Sequence, residues 1–199
     1  MRCECCEKEA VYKCSVCGRL LCPEHVNLGN VCPSHLKKAE LAYTVRKITS
    51  EEERSVIRKL VKNFWGEEEQ LTFDREFTVG ELPGYAAKVD DNIIGFVSIA
   101  ETGDVVIIAA LGVLPQYQCS GVGSRLIAKV EGEAKRLRKR RVLVSTSNDD
   151  LPALAFYQSL GFQIYEVKPD VVAQKHGAVL RGIGGLPVRD ELRLQKTLI

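Results

Sequence analysis

Eight residues within the first 35 stand in four couples of one spacing: Cys3-x2-Cys6, Cys14-x2-Cys17, Cys22-x2-His25 and Cys32-x2-His35. Thiolate and imidazole are the ligands zinc prefers, and this spacing lets one turn present both to the same ion. Eight ligands at four per tetrahedral site imply two zinc ions. A segment this short cannot build an adequate apolar core, so the metals would supply its folding free energy. Four protein ligands leave no open position on either ion, which makes the predicted role structural. Cys5 is left over, and the eighth cysteine, Cys119, lies far along the chain.

A second constellation is QYQCSGVGSRL, residues 116–126, with Gly121 and Gly123 between an apolar run and a helical pattern. The start of a helix presents unpaired amides and the positive end of the helix dipole. Glycines there let the backbone come close to an anionic phosphate. The same Gly-x-Gly also suits an ordinary turn and cap. It lacks the Gly-Lys-Ser/Thr of a P-loop and the third glycine of a dinucleotide fingerprint. A third stretch, NDDLPALAFYQSLGF (148–162), reads as a helix ended by Gly161, with Asn148 as its cap and Tyr157 beside Phe156.

The elements that must position these residues follow from periodicity. YTVRKIT (43–49) alternates like a strand. Ser50, with Glu53 three residues on, is a capping box for the helix EEERSVIRKLVKNFW, whose apolar positions are Val56, Ile57, Leu60, Val61 and Phe64. The acidic GEEEQ tract reads as solvated surface or loop. PGYAAKVD, NIIGFVSIAE and DVVIIAALGVL form a three-strand meander joined by Asp90-Asp91-Asn92 and Thr102-Gly103-Asp104. SRLIAKVEGEAKRLRKR follows as a helix with Leu126, Val130, Ala134 and Leu137 on one face, then RVLVSTS as a continuous apolar strand suited to a buried position. After the 148–162 helix come the strand FQIYEV, a glycine-bearing stretch from Lys168 to Pro187, and a last strand in VRDELRLQKTL. The prediction is an α/β fold with a mixed sheet. The composition shift after His35 divides the chain into a finger domain at 1–40 and an α/β domain at 41–199.

Two resemblances add to this. LGVLPQYQCSGVGSRL and NDDLPALAFYQSLGF resemble the two sequence motifs of the GNAT superfamily of N-acetyltransferases, over about residues 43 to 199. That resemblance implies a mostly antiparallel sheet flanked by helices, with acetyl-CoA as cosubstrate. Gln118, Cys119, Ser120, Gly121, Val122, Gly123 and Ser124 would cradle its pyrophosphate. Leu111 and Val113 would pair with the pantetheine arm like an added strand, Gly112 would be a bulge residue, and Asn148 and Tyr157 would border the cofactor. Tyr157 would be the general acid for the departing thiolate, and an amide near Leu111 to Val113 the oxyanion donor. The base is open, with Glu101, Asp104 and Glu76 as candidates. The head resembles a B-box-like, cross-braced zinc finger. That implies one site of Cys3, Cys6, Cys22 and His25 and another of Cys14, Cys17, Cys32 and His35; sequential pairing is the alternative.

Composition narrows the function classes. The chain has 199 residues, 45% hydrophobic, with a net charge of +2. No apolar run spans a bilayer, the first residues lack the apolar stretch of a secretory signal, and the cysteine density suits metal in a reducing compartment. The expectation is a cytoplasmic acetyltransferase acting on an amine, of a protein or peptide, with the finger available to a protein partner and no membrane partner. The rivals are a non-catalytic acetyl-CoA sensor and a nucleic-acid-binding adaptor. The latter would use KRLRKRR (135–141), a run more often a solvated helix end than a nucleic-acid patch.

Overall fold

Ser50 stops a strand and starts a helix. Its hydroxyl accepts the Glu53 amide (3.2 Å) while the Glu53 carboxylate accepts the Ser50 and Thr49 amides, the reciprocal arrangement expected from the spacing. The computed structural model describes residues 1–26, 32 and 42–198. In the head, β1 (Tyr12–Lys13) and β2 (Leu20–Leu21) pair antiparallel. Leu21 is its one fully buried aliphatic side chain among the described residues, clustered with Cys14 and Cys32. Apolar burial on that scale does not hold a domain together.

The remainder is built on a seven-stranded sheet. Its strands are β3 (Thr44–Lys47), β6 (Gly84–Val89), β7 (Asn92–Thr102), β8 (Val105–Val113), β9 (Arg141–Ser147), β10 (Gln163–Lys168) and β13 (Glu191–Thr197). They lie in the order β10-β13-β9-β8-β7-β6-β3, and every pairing is antiparallel except β8 with β9. Four helices accompany it: α1 (Glu51–Trp65), α2 (Val122–Arg136), α3 (Leu151–Ser159) and α4 (Val171–His176). Two small hairpins complete it, β4 (Glu69–Thr72) with β5 (Arg75–Thr78), and β11 (Leu180–Arg181) with β12 (Pro187–Val188). Neither hairpin nor α4 was expected. They occupy the acidic tract's surroundings and the glycine-bearing tail. Among the described residues no helix is long and apolar enough to cross a membrane.

Side-chain alternation gives the sheet two covered faces. On one, Val122, Leu126, Val130 and Tyr157 pack with Val106, Ile108, Val142, Val144 and Leu194. On the other, Ile57 and Val61 of α1 pack with Ala86, Phe96 and Ala110, while Phe73 and Phe77 of the β4–β5 hairpin cover Val105, Ile107 and Leu143. Val56, expected on the buried face of α1, is 41% exposed, one position off the Ile57–Val61 stripe.

The faces change over within β8. Ser98 opposes Ala110 but Ile99 opposes Ile108, so Ala109 is an extra residue on that strand. Before it the even positions face α2; after it Ala110 faces α1, and Leu111 and Val113 pack toward α2. The expected bulge at Gly112 is therefore corrected to Ala109. Gly112 is in regular register with Phe96, and a Cβ there would stand 2.7 Å from Phe64 Cε2 and 2.8 Å from Phe96 Cε1. Two aromatic rings require that glycine.

Candidate active site

β8 and β9 run side by side from Val105/Arg141 only as far as Ile108/Val144. Beyond that point each stays bonded to its other neighbour, β8 to β7 through Val113 and β9 to β13 through Ser147, and the two part. The opening holds a cavity of about 310 Å³ lined by Ile108 to Leu111, Val144 to Ser147, Asp150 and Tyr157, and on the far side by Trp65, Thr72 and Glu191. Because Tyr157 belongs to the α2–α3 face and Thr72 to the hairpin face, the cavity passes through the sheet.

The exposed backbone of β8 follows from its ladder. Leu114 N–H donates to Ile94 C=O at 2.9 Å, and bonded and open pairs alternate along an antiparallel pair. Leu111, opposite Val97, and Val113, opposite Gly95, therefore turn their amides and carbonyls toward the gap. One of these groups is already engaged, since Gln118 Nε2 donates to Val113 C=O (3.1 Å). That bond ties the glycine loop back onto the end of β8, and Ser120 Oγ, which donates to Tyr117 C=O, closes the loop on itself.

Within the loop, Cys119 and Gly121 both have positive φ, 58° and 80°. The first helical bond runs from Arg125 N–H to Gly121 C=O, so the amides of Val122, Gly123 and Ser124 head α2 with no intrahelical partner. These donors suit a phosphate anion. The two glycines have separate causes. Gly121 caps the helix in the left-handed region, where a Cβ would meet nothing nearer than Tyr43 Oη at 3.9 Å. Gly123 makes a tight contact, its Cβ position lying 3.1 Å from Phe156 Cζ, so a side chain there would displace the ring by a few tenths of an ångström.

On α3, Tyr157 is the one buried residue, its ring edge-on to Phe156 and Phe162. Burial, with a lesser contribution from Asp150, pushes its phenol far above the usual tyrosine value. Asn148 does not cap this helix. Its Nδ2 donates to Pro187 C=O and its Oδ1 accepts the amides of Arg189 and Asp190, so its amide is spent on the tail. The cap is Asp150, which accepts the Ala153 amide (3.0 Å) and lines the cavity; burial raises its carboxyl pKa. Spacing could have found it, because Asp150, Ala153 and Tyr157 share one helical face whereas Asn148 does not.

None of the three candidate bases lines the cavity. Glu101 pairs with Lys139, Asp104 with Arg141, and Glu76 is an exposed residue of β5. The first two lie at the turn between β7 and β8, at the other end of β8 from the opening. In the basic run, Lys139 and Arg141 make these same pairs and Arg136 binds Glu133. Three of the run's six basic side chains are thus paired on the protein's own surface.

In the head, the ligand atoms of Cys3, Cys6, Cys22 and His25 lie within 4.8 Å of one another, as do those of Cys14, Cys17 and Cys32. The expected fourth partner of the second group, His35, lies outside the described residues. The Sγ atoms of Cys6 and Cys22 lie 3.7 Å apart and those of Cys17 and Cys32 3.9 Å apart. Thiolates about 2.3 Å from a common tetrahedral centre sit about 3.8 Å apart, so the donor set fits zinc. Against desolvation, which raises it, amide hydrogen bonds from Cys5, Cys22 and Cys6 bring the Cys3 thiol down to about 6. Amides of Cys17, Cys32 and Val16 do the same for Cys14, also to about 6 against desolvation. Thiolates held this way are ready ligands. The grouping joins the first couple to the third, and the second to Cys32 of the fourth. Cys5 belongs to neither group, its amide donating to Cys3 Sγ.

Residues 44–162 match the model of the Acetyltransferase (GNAT) family. The chain is 30% identical over 139 residues to the uncharacterized protein YdhI of Bacillus subtilis (strain 168), covering 67% of this chain and 86% of that one. Among solved structures it is similar to the IAA acetyltransferase from Bacillus cereus ATCC 14579, with a TM-score of 0.66 at 24% identity over 79% of this chain and 100% of that one. A Bacillus subtilis acetyltransferase in complex with CoA shares the fold at a TM-score of 0.60 and 20% identity, over 79% and 100% of the two chains. The parted parallel pair thus sits in a known architecture: the chain belongs to the GNAT family, whose members are acetyl-CoA-dependent N-acetyltransferases.

Proposed function

We propose that this chain transfers the acetyl group of acetyl-CoA to an amine of a protein or peptide. The observation that carries the reading is the parting of β8 and β9 beyond Ile108 and Val144, with unpartnered amides heading α2 beside it. Pyrophosphate would sit on the loop from Gln118 to Ser124, and the pantetheine arm would lie in the gap, bonded to Leu111 and to the Val113 amide. Asp150 takes the place at the cavity expected of Asn148. The Leu111–Val113 backbone would donate to the oxyanion, and Tyr157 would protonate the leaving thiolate. Burial keeps the phenol protonated, and the same desolvation would raise the basicity of a thiolate formed beside it, which lets the proton pass between them.

The head, residues 1–40, forms a separate finger in this reading. Cys3, Cys6, Cys22 and His25 would hold one zinc, and Cys14, Cys17 and Cys32, with His35, the other. The metals would supply the head's folding free energy, and the finger would present a protein partner to the transferase domain.

A screen of peptides and amines with labelled acetyl-CoA tests the function. Label transferred to α-amines or lysines of peptides supports it. Tight binding of acetyl-CoA with no acetylated product from any amine would instead make the protein a sensor.

A further inference from the structure

On the hairpin face, the cavity wall contains three polar side chains from three separate elements, Thr72 of β4, Ser145 of β9 and Glu191 of β13. Thr72 Oγ1 donates to Glu191 Oε1 at 3.1 Å, and the same Oγ1 lies 2.6 Å from Ser145 Oγ. The donor sense of this chain is determined by its end. A carboxylate only accepts, so the Thr72 proton is committed to Glu191. Ser145 must then donate to Thr72, and what remains on Ser145 Oγ is lone pairs. Glu191 is itself fixed: its Oε1 also accepts the Phe73 amide (3.1 Å), and its Oε2 accepts Arg193 Nε (2.9 Å). Thr72, Glu191 and Arg193 are all at most 7% exposed.

We infer that this chain, resting on the acetyltransferase reading above, is the proton relay that readies the attacking amine. An acceptor amine reaches the active site as an ammonium ion and cannot attack until it loses a proton. In the step proposed, the ammonium proton passes to Ser145 Oγ, the Ser145 proton to Thr72 Oγ1, and the Thr72 proton to the Glu191 carboxylate. The products are a neutral amine with its lone pair free and a neutral Glu191 carboxyl, so charge and protons balance. Ser145 touches the amine; Thr72 and Glu191 act through it. The relay enters from the hairpin face, opposite Tyr157, which puts the amine's base and the thiolate's acid on opposite sides of the sheet. The charged groups around Glu191 are Arg193 and, beyond it, Asp74 and Glu166. Across the cavity stand Glu67 with Lys175, His176 and Asp150.

The test uses the full chain, acetyl-CoA, and two probe amines: benzylamine, an ammonium ion at neutral pH, and hydroxylamine, already neutral there. Thr72→Val removes the middle hydroxyl at nearly constant shape, and calorimetry with acetyl-CoA shows that fold and cofactor site are intact. At neutral pH it should lower benzylamine-dependent CoA release by about 10²-fold, and hydroxylamine-dependent release by less than about 10-fold. The benzylamine deficit should close as pH rises and the free amine forms without help. Thr72→Ser should return both rates to within about 3-fold of the parent, and Ser145→Ala should repeat the differential with every hairpin residue unchanged. Equal losses on both amines at every pH would overturn the relay. If the parent binds acetyl-CoA yet releases CoA with neither of these amines nor any peptide of the acceptor screen, the transferase reading falls and the relay falls with it.

Discussion

The ring of Phe156 lies so close to Gly123 that a Cβ built on the glycine would stand 3.1 Å from Phe156 Cζ. The contact joins the first turn of α2 to α3, next to Tyr157, and sets the spacing between the Gln118–Ser124 loop and the cavity. Gly123→Val places two further carbons in that contact and should destabilise the protein by about 1–3 kcal/mol. A lowered Tm in the absence of any ligand checks this. An unchanged apo Tm with lost acetyl-CoA binding would mean that the glycine serves the cofactor alone.

Tyr157→Phe keeps the ring contacts with Phe156 and Phe162 and removes only the proton. Turnover should fall by about 10²–10⁴-fold with acetyl-CoA affinity nearly unchanged. Near-normal turnover when chemistry limits the rate would leave Tyr157 a core residue.

The same phenol carries a stability signature. Burial raises its pKa above the unfolded value, so its contribution is complete below about pH 10 and is lost as pH rises further, when only the unfolded chain ionises. In alkaline unfolding curves the parent should therefore lose stability more steeply above that pH than Tyr157→Phe does.

Glu53 works in the opposite direction. Lys88 at 2.8 Å and the Thr49 and Ser50 amides, against desolvation, lower its carboxyl to about 2. Its stabilisation is complete above the unfolded value near 4.5 and is lost as pH falls toward 2. Glu53→Gln should flatten the acid limb of the stability curve in that window, a difference of order 2 kcal/mol read from urea midpoints.

Metal analysis of protein purified without chelators should give two zinc ions per chain, one for each ligand group. Cys22→Ser and Cys14→Ser should each remove about one, while acetyl-CoA binding survives in both. Protein without zinc would sink the finger reading.

Most of the sheet was legible because its strands are apolar and its turns conventional. RVLVSTS is β9 residue for residue, and the Ser50–Glu53 box marks the start of α1. The β4–β5 hairpin was not legible. Its turn puts Phe73 and Asp74 at φ 53° and 58°, a conformation that turn rules reserve for Asn-Gly or Asp-Gly. Its covering role comes from Phe73 and Phe77, which meet β8 and β9 only in three dimensions. The glycine loop before α2 could be read from its spacing, although the tight contact of Gly123 with Phe156 could not. Thr72, Ser145 and Glu191 lie as much as 119 residues apart, in segments with no motif to join them.

In the proposed reaction, a sheet opened from one face to the other would give the two reactants separate doorways. Neither would need the other to leave before it enters, so no acyl-enzyme would have to bridge two half-reactions. Steady-state rates measured against both reactants should give intersecting double-reciprocal lines, the mark of a ternary complex. A single molecule joining CoA to an acceptor amine through an acetyl bridge would fill both doorways at once, and should bind far more tightly than either half alone.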